Sequence, residues 1–348
     1  MVSELVIGTY TQPLPHVDGT AEGILSARFD GHELTAVAVA AAVTNPSWVT
    51  TSSDGSRVYA AVETEPGGAV AAFARSTDGV LTPLGQVDSG GGAPAHLTLD
   101  PSERFLVVGT YGGGSFSVFP VLGDGSLGEP TAFVQHQGSG PDPSRQEGPH
   151  VHQLSFDPIT GDLVVVDLGL GEIRFYSFGA DGRVELRDDA TVSSGAAGPR
   201  HLAFHPSGSL AFVANELDST VDVLRREGER FVRVGRASTR PADATGENAP
   251  AAVRVSPSGS TLFVTNRGDD TVAVFAADSG AASLSLVASV PSGGATPRDL
   301  VLSPEGDRVL VANQDSDAVA VFAFDDSTRD LSLLSIAAVP TPVCLRFV

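Results

Sequence analysis

Six times along its 348 residues the chain repeats one short theme, and no other feature restricts the fold as strongly. The copies are PSWVTTSSDGSRVYAAVE from Pro46, PAHLTLDPSERFLVVGTY from Pro94, PHVHQLSFDPITGDLVVVDLG from Pro149, PRHLAFHPSGSLAFVANE from Pro199, PAAVRVSPSGSTLFVTNR from Pro250 and PRDLVLSPEGDRVLVANQ from Pro297. Their starts are 48, 55, 50, 51 and 47 residues apart. Each holds two short apolar strands joined by a Pro- or Asp-led turn, and turns of the Pro-Ser-Gly-Ser and Pro-Glu-Gly-Asp type supply a fixed φ and a flexible corner. An alternating strand follows, such as Val-Ala-Val-Phe at 272–275 or 319–322, and then a weaker fourth. Alternation marks half-buried strands, and unbroken apolar runs such as 105–108 mark strands covered on both faces.

Four strands at a period near 50 residues predict an all-β fold, a β-propeller built of four-stranded blades. The termini set the count. Residues 5–10 read as the second strand of a copy, 23–29 as a third and 35–43 as a fourth, with no first strand before them. Residues 341–348 supply the missing one. The expectation is one domain over 1–348, with seven blades and the ring closed by pairing the C-terminal strand with the N-terminal blade. Such closure leaves no free sheet edge. Two segments exceed what the repeat needs, 135–148 and 239–249, and long loops of this kind are as often functional as merely tolerated.

Charge narrows the partners. The formal net charge is −21, and all 21 cations are arginine. A broad nucleic-acid surface, which needs clustered positive charge, is excluded. An anionic small molecule would need a local arginine cluster to overcome the global field. The single Cys344 rules out an internal disulfide framework, and no Cys/His spacing suits a metal. The N-terminal stretch has no signal-peptide pattern, and no apolar run reaches the ~20 residues of a membrane span. The expectation is a cytoplasmic protein without metal or cofactor, with no membrane and no nucleic-acid partner.

The repeat also locates the polar residues. First strands of propeller blades line the channel. The residue six before the turn marker begins that strand and is Ser47, Ala95, His152, Arg200, Ala251 and Arg298, with Val343 in the closing blade. The residue ten or eleven after the marker ends the second strand and is read as Thr64, Tyr111, Gly169, Glu216, Arg267 and Gln314, and Tyr10 joins by comparison with Tyr111. Antiparallel pairing puts both series around one channel mouth. His152, Arg200, Glu216, Arg267, Arg298, Tyr10, Tyr111 and Gln314 converge there, with His150 beside them. Arg254 lies inside an apolar first strand and must enter the channel or pair with a carboxylate, because a buried cation needs a partner. His96 and His201 share one register and read as packing residues. His16, His32 and His136 fall in loops without an assignable partner. Asp167 is open between structure and site.

On these residues the chain resembles the lactonase family of seven-bladed propellers, whose members include cycloisomerase-type 6-phosphogluconolactonase. The motifs are Gly-Thr-Tyr-Thr at 8–11, Gly-Pro-His-Val-His at 148–152, Gly-Pro-Arg-His at 198–201, Asn-Glu-Leu-Asp-Ser-Thr-Val at 215–221, Asn-Arg-Gly-Asp-Asp at 266–270 and Val-Pro-Thr-Pro-Val-Cys at 339–344. The resemblance implies hydrolysis of 6-phosphoglucono-δ-lactone, a step of the pentose phosphate pathway, on a small anionic lactone or sugar-phosphate substrate. The fold is shared with a carboxymuconate-lactonizing enzyme. That relative implies a histidine, two arginines and a glutamate as functional residues: His152 or alternatively His150, Arg200, Glu216, and Arg267 with Arg254 as competitor. Either His152 or Glu216 would be the base, and Arg200, Arg267 and Arg298 would bind the anion and oxyanion. The alternatives are lactone formation from a carboxylated muconate and a non-catalytic binding scaffold.

Overall fold

The computed structural model describes residues 2–348. Seven antiparallel sheets form the blades of a β-propeller, each with its strands in simple meander order. The blade that begins at Pro46 runs through Pro46–Thr51, Arg57–Val62, Ala69–Arg75 and Leu81–Asp88. Five further blades begin with Pro94–Leu99, Val151–Phe156, Pro199–Phe204, Ala249–Val255 and Pro297–Leu302. The closing blade is Pro342–Phe347, Ser3–Thr9, Ile24–Phe29 and Leu34–Ala41, joined as the termini implied. First strands touch their neighbours in an unbroken cycle that returns from Pro342–Phe347 to Pro46–Thr51.

The third blade departs from the plan. Its fourth position is split into Val184–Leu186 and Val192–Ser193, both paired with Glu172–Phe178 and separated by the 3₁₀ turn Asp188–Ala190. A second addition is the ribbon of Pro13–Leu14 with Val17–Asp18, which carries His16.

The core lies between neighbouring sheets. Val164, Val166 and Phe175 of the third blade pack with Leu202, Val213 and Phe231 of the fourth, and equivalent clusters recur around the ring. Each such side chain contributes roughly 1.5–3 kcal/mol by leaving water. Small residues in the second and third strands, such as Ala211 and Ala273, let the sheets approach.

Every first strand carries a β-bulge at the same place. The register shifts between Pro46 and Trp48, Pro94 and His96, Val151 and Gln153, Pro199 and His201, Pro250 and Val253, and Pro297 and Asp299; the closing blade shifts opposite Gly8–Thr9. Bulges free one residue from the ladder and re-aim it. The freed residues include Ser47, Ala95, His152, Arg200 and Arg298, all of them in the series read from the sequence. The residue after the bulge ties one blade to the next. Leu154 N donates to His96 Nδ1, Leu202 N to Gln153 Oε1, Leu345 N to Asp299 Oδ2 and Val49 N to Cys344 Sγ.

Candidate active site

The bulges place His152, Arg200 and Arg298 at one end of the channel, and the ends of the second strands complete the rim. Backbone hydrogen bonds identify the second series: Tyr111 N donates to Ala93 O, Glu216 N to Gly198 O, Gln314 N to Thr296 O and Tyr10 N to Thr341 O. In the first and third blades the residues making this bond are Glu63 and Leu168. They replace the expected Thr64 and Gly169. Thr64 and Gly169 stand 17 residues after Ser47 and His152, whereas the 16-residue spacing of the other repeats leads to Glu63 and Leu168. In the third blade the turn is a residue longer and the second strand a residue shorter. Thr64 instead donates its hydroxyl to Gly67 O, away from the mouth.

The rim encloses a cavity of about 360 Å³ lined by His16, Glu63, Ala95, Tyr111, Arg145, His152, Glu216, Ala249, Arg267, Thr296, Arg298 and Gln314. Arg200 lies beneath it. Of the residues expected at the mouth, His152, Glu216, Arg267, Arg298, Tyr111 and Gln314 line this cavity. Tyr10 and His150 stand behind it. Tyr10 donates its hydroxyl to Glu63 Oε2 (2.9 Å) and accepts from Arg298 (3.0 Å). His150 stacks on Tyr111 with ring centres 4.4 Å apart. Arg254 takes the second course open to it: it pairs with the buried Asp299 at 2.8 Å, which also faces Arg346 at 3.4 Å, and it does not line the cavity as a substrate-binding residue would. Its charge needs a carboxylate inside the channel wall, and Asp299 is that carboxylate.

Two cavity residues lie outside the repeat and could not be reached by counting blades. His16 comes from the added ribbon. Arg145 comes from the long segment 135–148, whose length was the only signal in the sequence. Gln146 anchors that segment: wholly buried, it donates to Leu168 O (2.8 Å) and Gly195 O (3.0 Å) and accepts from Asp142 N (3.0 Å). His136, also in this segment, sits buried between Asp167 Oδ2 (2.6 Å) and the Tyr176 hydroxyl (2.8 Å). Asp167 Oδ1 accepts from His150 N, which fixes the 148–150 turn. Gly169 serves that turn by lacking a side chain, because a Cβ there would lie 1.9 Å from Gly148 O.

Glu216 is the electrostatic centre. Arg145 reaches its Oε1 at 2.6 Å, Arg267 its Oε2 at 2.6 Å, and Arg200 Nε lies 3.1 Å from Oε2. The Arg200 contact is ionic without hydrogen-bond alignment. Burial would raise the Glu216 carboxyl, but Arg267 and Arg200 outweigh burial and hold it well below the usual carboxylate range. Glu216 is therefore ionised, with both oxygens occupied. His152 is buried and makes no hydrogen bond through Nδ1. Burial first, then the Arg200 charge, push it well below the ordinary imidazole range, so it is neutral at pH 7. Burial and Arg298 likewise lower His16 to about 4. Four guanidinium groups (Arg145, Arg200, Arg267 and Arg298) face two carboxylates, Glu63 and Glu216. Among the described residues Arg298 has no carboxylate within ion-pair distance, and Tyr10 and Gln314 hold it by neutral contacts. Burial and Arg267 both oppose the charge of Arg200. An anion entering the cavity would relieve that excess.

A propeller with a histidine and a guanidinium cluster at one channel mouth has the equipment of an enzyme acting on a small polar substrate. Comparison gives the family: the model of the seven-bladed β-propeller lactonases matches residues 4–347, and the chain belongs to that family of enzymes. A Bacillus subtilis protein named 6-phosphogluconolactonase is 34% identical over 354 residues, covering 98% of this chain and 97% of its own. The structure of the Pseudomonas aeruginosa periplasmic gluconolactonase PpgL superposes with a TM-score of 0.93 at 32% identity, covering 100% of this chain and 99% of that one. A Lactobacillus plantarum protein superposes with a TM-score of 0.92 at 32% identity, each chain fully covered. Among the described residues no helix is long and apolar enough to cross a membrane.

Proposed function

We propose that the chain hydrolyses 6-phosphoglucono-δ-lactone to 6-phosphogluconate. The observation that carries this reading is the excess of cations at the cavity, two more guanidinium groups than carboxylates, which suits a dianionic phosphate. The Bacillus relative is named for the same substrate. Arg298, free of any carboxylate partner, receives the phosphate together with Arg145. Arg267 and Arg200 stabilise the oxyanion that develops at the lactone carbonyl. His152 is the base: it is neutral, and Nδ1 has no partner in the protein. Glu216 is assigned a different task, because its lone pairs are engaged. It gathers three guanidinium groups into one place against their mutual repulsion. A cytoplasmic reaction belongs to the same proposal, and cell fractionation tests it.

The name of the Pseudomonas relative favours a second reading, an unphosphorylated sugar lactone as substrate. Variants separate the two. Under the phosphate reading Arg298→Gln raises KM for the phosphorylated lactone by about tenfold or more, the size of one lost charge-assisted contact, and leaves KM for the unphosphorylated one unchanged. Equal effects on both substrates would favour the second reading. His152→Ala lowers kcat by about 10²–10⁴ under either, and a fully active variant would remove His152 from the mechanism.

A further inference from the structure

Beneath the mouth cavity lies a second chamber of about 20 Å³. Ala95, Glu63, His152 and Arg298 line both spaces, so the two adjoin. We propose that the chamber holds the water that attacks the lactone carbonyl, and that the hydroxyl of Ser47 holds it against His152. The inference rests on the hydrolysis reading above and deepens it.

Size is the first argument. A volume of this order accommodates one water molecule and nothing larger. Of these two spaces, the mouth cavity is the one that can take a sugar lactone. Polarity is the second. Three residues that line the chamber each hold a buried polar atom without a hydrogen bond to the protein: Ser47 Oγ, His152 Nδ1 and His201 Nδ1. A buried water needs two to four such partners, and buried polar atoms rarely stay unpaired. Rigidity is the third. Ser47 is the freed residue of its bulge, and its N donates to Asn45 O at 2.7 Å. Asn45 Nδ2 donates to Glu63 O, so one residue pins both walls, one through its backbone and the other through its side chain.

The chemistry follows from that placement. With Nε2 carrying the imidazole proton, Nδ1 of His152 takes a proton from the water as its oxygen bonds to the carbonyl carbon. The tetrahedral oxyanion faces the arginines. It collapses by breaking the bond between the carbonyl carbon and the ring oxygen, and that oxygen receives the proton from His152. Water and lactone become hydroxy acid, with no other reactant. A lactonizing cycloisomerase needs no water at this position, so the chamber also favours hydrolysis over the reverse type of chemistry.

The test combines kinetics with a crystal structure fine enough to show ordered water. Ser47→Val fills the chamber with methyl groups, Ser47→Ala removes only the hydroxyl, and Ser47→Thr restores it. Expected are a kcat lower by about 100-fold in Ser47→Val and about tenfold in Ser47→Ala, with KM within about twofold and melting temperatures near the wild type. Ser47→Thr should recover most of the rate, which a purely structural role would not require. The crystal structure should show one water within hydrogen-bond reach of both His152 Nδ1 and Ser47 Oγ. A folded Ser47→Val enzyme with wild-type kcat, or no water at that position, overturns the assignment. A wild type that opens no lactone refutes the hydrolysis reading instead, whatever the variants do.

Discussion

Glu216 and His152 sit in the same cavity and are pushed to opposite tasks. Burial acts on both against their charged forms. For Glu216 the surrounding guanidinium groups reverse the sign and keep it ionised, while for His152 they add to burial and keep it neutral. The pH profile follows. Protonation of either His152 or Glu216 abolishes activity, and both events lie well below the ordinary ranges of their side chains. Measured with the unphosphorylated lactone, which carries no phosphate group titrating at about pH 6, the kcat/KM profile should therefore run flat through pH 6.5 and fall only at distinctly lower pH. An acid limb centred near 6.5 would show that a histidine outside this field is the base. At this scale the sequence was readable wherever a residue belongs to the repeat. His152, Arg200, Glu216, Arg267 and Arg298 were all placed by counting from a turn. Glu63 was missed by one residue, because Thr64 stands 17 residues after Ser47 and the repeat spacing is 16. Arg254 sits correctly in the channel wall, but only the position of Asp299 shows that its charge is already paired.

Elements outside the repeat carry the rest of the site, and counting could not reach them. Segment 135–148 brings Arg145 to Glu216, and its hold on the protein is Gln146, whose side chain makes three hydrogen bonds in a buried place. Replacing Gln146 by Ala leaves the carbonyls of Leu168 and Gly195 without that donor and frees the segment. The expected result is a KM raised by about tenfold with kcat changed only a few-fold, because Arg145 is assigned to ground-state binding. Unchanged steady-state kinetics would mean that Arg145 is positioned without its anchor, or is not used. The ribbon that carries His16 has no counterpart in the other blades, so no register could relate it to the mouth. The bulges belong to the opposite case. They recur in every blade, yet a pattern of apolar and polar letters does not reveal which residue of a strand has left its ladder.

The whole ring is closed by six C-terminal residues. Val343, Cys344 and Leu345 are buried, and the strand pairs with Ser3–Thr9. Deleting 341–348 removes burial worth on the order of 5 kcal/mol and exposes a sheet edge, against a total stability of roughly 5–15 kcal/mol. The truncated chain should fail to give a cooperative melt, and an unchanged melting temperature would contradict closure by this strand. Acid should weaken the ring as well. Burial lowers His96, His152 and His201 well below their value in the unfolded chain, so unfolding takes up protons. Their contribution is complete above about pH 6.5 and is lost as the pH falls below it, by up to ~1.4 kcal/mol per pH unit for each. Melting temperatures measured from pH 7.5 downward should begin to fall near 6.5, before carboxylates titrate. A constant melting temperature down to pH 5 would mean that these histidines are protonated in the folded protein.

The central claim is that the guanidinium cluster at the mouth selects an anionic lactone in a chain of net charge −21. Its most direct test is the ratio of kcat/KM for 6-phosphoglucono-δ-lactone to that for glucono-δ-lactone, measured on the same enzyme. An excess of two guanidinium groups over carboxylates in the cluster predicts a ratio of about 10² or more at low salt, shrinking as ionic strength rises. A ratio near one, insensitive to salt, would contradict the assignment of the cluster to phosphate.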